Sequence, residues 1–212
     1  MKGAAVTAEE IAALFTRADG QYLFARWGRP IVPVVFGVED ETLRVMKGAL
    51  EAVVALADHR MDGADPELGA NLMIFFLRDW AELPDVPNLD RLIEGLIPLC
   101  DRLAQADANQ YRIFRFDARG AIKAAFVFLR MDAHLAAASA ETLALSQAVQ
   151  VILLWSDRAF VGVSPLRQVG DAVMLRPEIA RVIRAGYLPV LPDMAQDASH
   201  ALRLAARLGA VI

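Results

Sequence analysis

The side chains best equipped for chemistry in this sequence are thinly spread. Its histidines, His59, His134 and His200, lie far apart, so none forms the i, i+4 pair by which one helix offers two imidazoles to a zinc ion. They read as surface or internally satisfied residues. A metal-dependent hydrolase would have to gather ligands from distant segments, such as His59, His134 and an acidic loop. That loop carries Asp58, Asp62, Asp65 and Glu67, lacks the EF-hand series with its glutamate at position twelve, and reads as a solvated turn. No Gly-x-Ser-x-Gly elbow surrounds Ser139, Ser146, Ser156, Ser164 or Ser199. Cys100 sits in the run Leu96-Ile97-Pro98-Leu99-Cys100 with no histidine near it in sequence, the setting of a small buried residue rather than a nucleophile. Neither Gly-x-Gly-x-x-Gly nor a P-loop occurs, which removes the common nucleotide-binding loops.

One segment says more. In a helix predicted from Asp132 to about Trp155, the polar residues Ser139, Thr142, Ser146 and Gln150 recur every three or four positions with Gln147 beside them. Leu143, Leu145, Val149, Ile152 and Leu153 cover the rest. A stripe of this kind either faces water or lines a groove over a sheet, and on the residues alone both readings stand.

The elements that would position this helix follow from periodicity and punctuation. Thr7-Ala8-Glu9-Glu10 has the capping-box pattern and opens a helix over about 8–18. Residues 30–36 read as a strand whose Pro33 demands an edge or a bulge, and a helix covers 39–57. Asn71 to Leu77, apolar throughout, reads as a central strand buried on both faces. Asn88 caps a helix reaching Leu103, with a kink or early break at Pro98. Residues 111–116 and 121–128 flank Asp117-Ala118-Arg119-Gly120 as a hairpin. After the long helix, Pro177 starts a helix stopped by Gly186, and a last helix spans about 194–208.

The fold class is therefore α+β: a single domain, 1–212, with a small mixed sheet whose hairpin packs against a long helix and flanking helices. It divides into an N-terminal helix over 1–20, a sheet-and-helix core over 28–155 and a C-terminal helical portion over 156–212. With 212 residues, 56% of them hydrophobic, the chain is long enough to bury a full core without metal or disulfide. Its net charge of -4, and basic residues interleaved with carboxylates (Arg26, Arg29) or apolar residues (Arg112, Arg115, Arg119), give no stripe for nucleic acid. No apolar run approaches transmembrane length and no signal peptide is visible. The default is a soluble, cytoplasmic protein, or a periplasmic one if a leader has been removed.

The first strand after Trp27, the Gly69-Ala70-Asn71 opening of the second, the hairpin and the long helix with a glutamine-centred motif together resemble an uncharacterised bacterial family, domain of unknown function 2927, which is zincin-like in layout. That family's long helix carries Glu-x-x-Gln, then Gly-Leu and an Asn-Asp pair. The corresponding stretch here runs from Ser146-Gln147-Ala148-Val149-Gln150 to Ser156-Asp157; Gln150 and Asp157 match, while Gln147 stands for the glutamate and Ser156 for the asparagine. Further on, Pro192 and Met194 fit the family's Pro-Gly-Met, with Asp193 replacing the glycine and Gly186 at the tyrosine position.

A zincin needs two imidazole ligands and a carboxylate base. Ser146, Gln147 and Gln150 are neutral and non-imidazole, and losing a general base alone costs roughly 10²–10⁴ in rate. The resemblance thus implies a pseudoenzyme that binds a ligand or a partner protein or peptide through the groove beside the long helix. Ser146, Gln147, Gln150 and Asp157 are the groove candidates, and no cofactor or metal is implied. The rival readings are the metal-dependent hydrolase with non-standard ligands and a structural, oligomer-forming protein with Trp27 and Ala210-Val211-Ile212 at its interface.

Overall fold

A computed structural model describes residues 6–210. Thr7 opens α1 (Ala8–Phe15) through a reciprocal capping box, Glu10 N donating to Thr7 Oγ1 at 3.1 Å and Thr7 N to Glu10 Oε2 at 2.7 Å. The helix stops short of the expected residue 18, because Thr16 is already extended and bridges Tyr22. Next come β1 (Phe24–Ala25), β2 (Pro33–Phe36), α2 (Asp40–Leu56) and β3 (Leu72–Leu77). A 3-10 turn at Trp80–Asp85 leads to α3 (Leu89–Leu92), α4 (Leu96–Gln105) and the hairpin β4 (Gln110–Phe116) and β5 (Ile122–Arg130). The chain closes with α5 (Ala133–Ala136), α6 (Ala140–Ile152), β6 (Leu166–Val169), β7 (Ala172–Leu175), α7 (Pro177–Gly186), β8 (Met194–Ala195) and α8 (Ser199–Ala205).

The main sheet has the order β2-β3-β5-β4, with β2, β3 and β5 parallel and β4 antiparallel on the far edge. Pro33 lies on the other edge, where its missing N–H leaves no interior ladder bond unmade. The apolar strand β3 is interior and covered on both faces, as its sequence demands. Leu72 and Ile74 face a core shared with α2 and α6, while Phe75 and Leu77 face a second core built on Trp80, Leu83 and α4. Helices therefore cover both faces of a mixed sheet, giving the single-domain α+β fold expected.

Three of the predicted helices are interrupted, the third at a place other than the kink or break expected at Pro98. The break in the third falls at Gly95 (φ +69) between α3 and α4, whereas Pro98 sits in the first turn of α4, where an N–H has no helical partner to lose. Asn88 adopts φ +62 and makes no side-chain cap. The long helix also divides: Asp132 caps only α5, and Ser139 Oγ accepts from Thr142 N at 3.2 Å to start α6. The final predicted helix is likewise split, because Met194–Ala195 pairs as a strand with β1 and joins the C-terminal portion to the N-terminal one. The β6–β7 hairpin around Gly170 (φ +59) was not expected from the sequence.

Candidate functional site

The C-terminal half of α6 lies against the edge strand β4. Alternation along β4 sends Tyr111 and Ile113 into the second core and turns Gln110, Arg112 and Phe114 toward α6. There they meet Gln147, which is 0% exposed. Gln147 Nε2 donates to Gln110 Oε1 at 3.0 Å, and Arg112 Nη2 donates both to Gln110 Oε1, at 3.0 Å, and to Gln147 Oε1. The guanidinium is thus held between two neutral amides. No carboxylate pairs with it among the described residues, its Nε is enclosed without a partner, and Nη1 makes no hydrogen bond. Burial pulls its pKa down to about 10, which leaves it charged at neutral pH.

Beside this cluster opens a groove of about 290 Å³ whose walls come from both elements and from the segment after α6. That segment is pinned along its length: Leu153 bridges Arg26, Leu154 N donates to Ala25 O at 2.9 Å and Ser156 N to Leu14 O at 2.8 Å. Trp155 stacks on Phe15 at 5.3 Å, packs edge-on with Phe160 and donates Nε1–H to Val149 O at 2.7 Å. Asp157 Oδ1 accepts from Ala18 N at 3.1 Å, which draws Arg17 to the same rim.

Of the residues the sequence singled out, Gln150 and Asp157 line the groove. Gln147 is locked beneath it instead of standing on a wet stripe, and Ser146 is taken up as acceptor for Gln150 Nε2 at 3.0 Å and is absent from the lining. Ser139 is the cap of α6 and Thr142 its partner, so the stripe is part cap, part buried network and part groove wall. Sequence reading missed Gln110, Arg112, Arg17, Trp155 and Phe160. The available signal was the alternation Gln110, Arg112, Phe114 on one face of a hairpin strand.

The other candidates lie elsewhere. His59 Nε2 is 2.9 Å from Arg29 O, with burial lowering its pKa; His134 is exposed on α5; His200 is buried with Nδ1 2.7 Å from the Tyr22 hydroxyl, and burial lowers it to about 4. Among the described residues no three histidines, cysteines, aspartates or glutamates come together as a metal ion would require. The acidic loop is not a solvated turn throughout. Asp65 is buried and accepts from Glu67 N, Leu68 N, Asn71 Nδ2 and Arg29; burial would raise its pKa, but these bonds outweigh it and hold the carboxyl below its usual range. Cys100 is buried in the second core. Trp27 is 2% exposed and gives its Nε1–H to Val151 O at 2.8 Å, so it offers no interface; Val211 and Ile212 lie outside the described residues.

Among the described residues no helix is long and apolar enough to cross a membrane. Comparison with protein-family models, curated proteins and solved structures returned no match.

Proposed function

We propose that this chain is a non-catalytic binding domain, zincin-like in layout and akin to domain of unknown function 2927, which holds an extended segment of a partner protein in the groove between β4 and α6. The observation that carries the reading is the chemistry of the groove floor. Two carboxamides and a guanidinium bond to one another there, and none of them accepts a proton at neutral pH, which supports a site without a general base. Among the described residues Asp157 is the one carboxylate in the lining, and it is engaged with the Ala18 amide. Among the described residues the antiparallel edge strand β4 pairs with β5 alone, which leaves its outer edge to receive an extended chain, the arrangement used in strand addition.

The test is a panel of defined heptapeptides titrated into isotopically labelled protein, with backbone and side-chain amides followed by NMR. Perturbations confined to residues 17–18, 110–116 and 147–160 are expected, with the peptides recovered intact by mass spectrometry. Perturbations elsewhere, no binding by any peptide, or cleavage of the peptides would overturn the reading, and cleavage would point to a hydrolase.

A further inference from the structure

Arg112 is a half-buried cation whose Nε is enclosed without a partner and which has no carboxylate beside it among the described residues, an arrangement that a bound anion would relieve. A second guanidinium, Arg17, lines the same groove and pairs with no carboxylate among the described residues. Of the three nitrogens of Arg112, Nη2 is spent on Gln110 and Gln147 and Nε is enclosed, so Nη1 is the donor left for an occupant. Phe114, Leu154, Trp155 and Phe160 give the walls an apolar and aromatic side, beside the polar Gln150 and Ser156. Among the described residues the one opposing charge in the lining is Asp157.

Resting on the reading of the groove as a binding site, we propose that its occupant is a carboxylate carried next to an apolar side chain, as at the C-terminus of a peptide ending in an aromatic or large aliphatic residue. The carboxylate lies against Arg112 Nη1 with Arg17 as the second positive charge, and the side chain lies among Phe114, Trp155 and Phe160. A monoanion fits better than a phosphate. Few donors remain free, about 290 Å³ suits one side chain with its carboxylate, and a dianion would meet Asp157 more strongly.

The probes are N-acetyl-phenylalanine and its primary amide, the peptide acetyl-Ala-Ala-Ala-Phe as free acid and as amide, and inorganic phosphate, each titrated into the full chain by calorimetry and NMR. Free acids are expected to bind roughly tenfold or more tightly than the matching amides, because the amide forfeits a charge-assisted bond. Binding should weaken in about 0.5 M salt. Arg112→Met should abolish the preference for acid. Should that variant not fold, Asp157→Asn keeps the Oδ1 that accepts the Ala18 amide, removes the opposing charge and should tighten the acids roughly two- to fivefold. A tetrapeptide acid binding more tightly than the acetylated amino acid identifies a protein C-terminus as the source, and equal affinity identifies a small carboxylic acid. Acid and amide binding equally at the groove would overturn the carboxylate while leaving peptide binding intact. Phosphate binding more tightly than the acids, or no change in Asp157→Asn, would likewise overturn it, and failure of every peptide form to bind would remove the binding-domain reading itself.

Discussion

Gln147→Leu removes the acceptor and donor that join α6 to β4 while keeping a side chain of similar size. Two bonds disappear. The one from the Arg112 guanidinium belongs to the charge-assisted class, worth about 1.5–3 kcal/mol, and the one to Gln110 to the neutral class, worth about 0.5–1.5 kcal/mol. The added apolar burial of leucine returns about 1 kcal/mol. The net expectation is a loss of about 2–3 kcal/mol, because Arg112 then keeps Gln110 Oε1 as its side-chain acceptor among the described residues and the lost partner was fully buried. With a urea dependence of about 2–3 kcal/mol/M, the midpoint should fall by about 1 M, followed through the fluorescence of the buried tryptophans Trp27, Trp80 and Trp155. Gln147→Glu, which retains acceptors and supplies the missing carboxylate, should lose less than Gln147→Leu. A Gln147→Leu midpoint within about 0.2 M of the parent would refute the argument, since the cluster would then contribute nothing to holding the edge strand. Gln150→Leu, half-buried and bonded only to Ser146, is the cleaner probe of the groove and should shift stability far less.

Further expectations concern the scaffold. His200 is buried and neutral with its pKa lowered to about 4, so the unfolded chain binds the extra proton first; stability is full above about 6.5 and declines as pH falls toward about 4. Urea melts at pH 7 and pH 5 should show this decline, and His200→Phe should flatten it. At Gly37, φ is +80 and an added Cβ would lie 2.2 Å from Phe76 O, so Gly37→Ala should cost about 2 kcal/mol or more. Gly48→Ala, in open space inside α2, should instead raise stability by about 0.5–1 kcal/mol, and thermal melts of the pair would show opposite signs. Asn71→Leu removes bonds to Val32 N, Pro30 O and Asp65 at once and should cost about 2–4 kcal/mol by chemical denaturation; a loss below about 0.5 kcal/mol would show that the loop re-forms without it.

Features encoded by local pattern could be read from the sequence. The apolar run of β3, the proline on the edge strand β2, the hairpin and the proline-to-glycine span of α7 each depend on a few consecutive residues. Two-residue strands such as β1 and β8 carry no period to detect, and their pairing is fixed by packing between opposite ends of the chain. The stripe on α6 was visible, but which of its members faced water was not. Gln147 and Gln150 are chemically identical, and only the position of β4 makes one a buried partner of Arg112 and the other a groove wall. Arg112 looked like one member of a dispersed basic segment because a missing counter-charge is a property of space, not of sequence.

The contacts of Arg26 bear on how the chain completes itself during synthesis. Its guanidinium is seated by Gly186 O at 3.0 Å, Leu188 O at 3.2 Å, Leu191 O at 3.1 Å and the Asp193 carboxylate at 2.9 Å, all from the end of the chain. At about 5–20 residues per second, the ribosome needs roughly 10–30 s to travel from this arginine to its acceptors. For that interval β1 has no β8, and Phe24 has neither His200 nor Gly186 against it. The segment around β1 must therefore wait, with Phe24 uncovered, while the sheet from β2 to β5 is already available to form. Limited proteolysis of ribosome-stalled chains should find the stretch from Phe24 to Trp27 cleavable until these acceptors emerge, which makes the stretch from Gly186 to Ala195 the clasp that ends its exposure to chaperones and proteases.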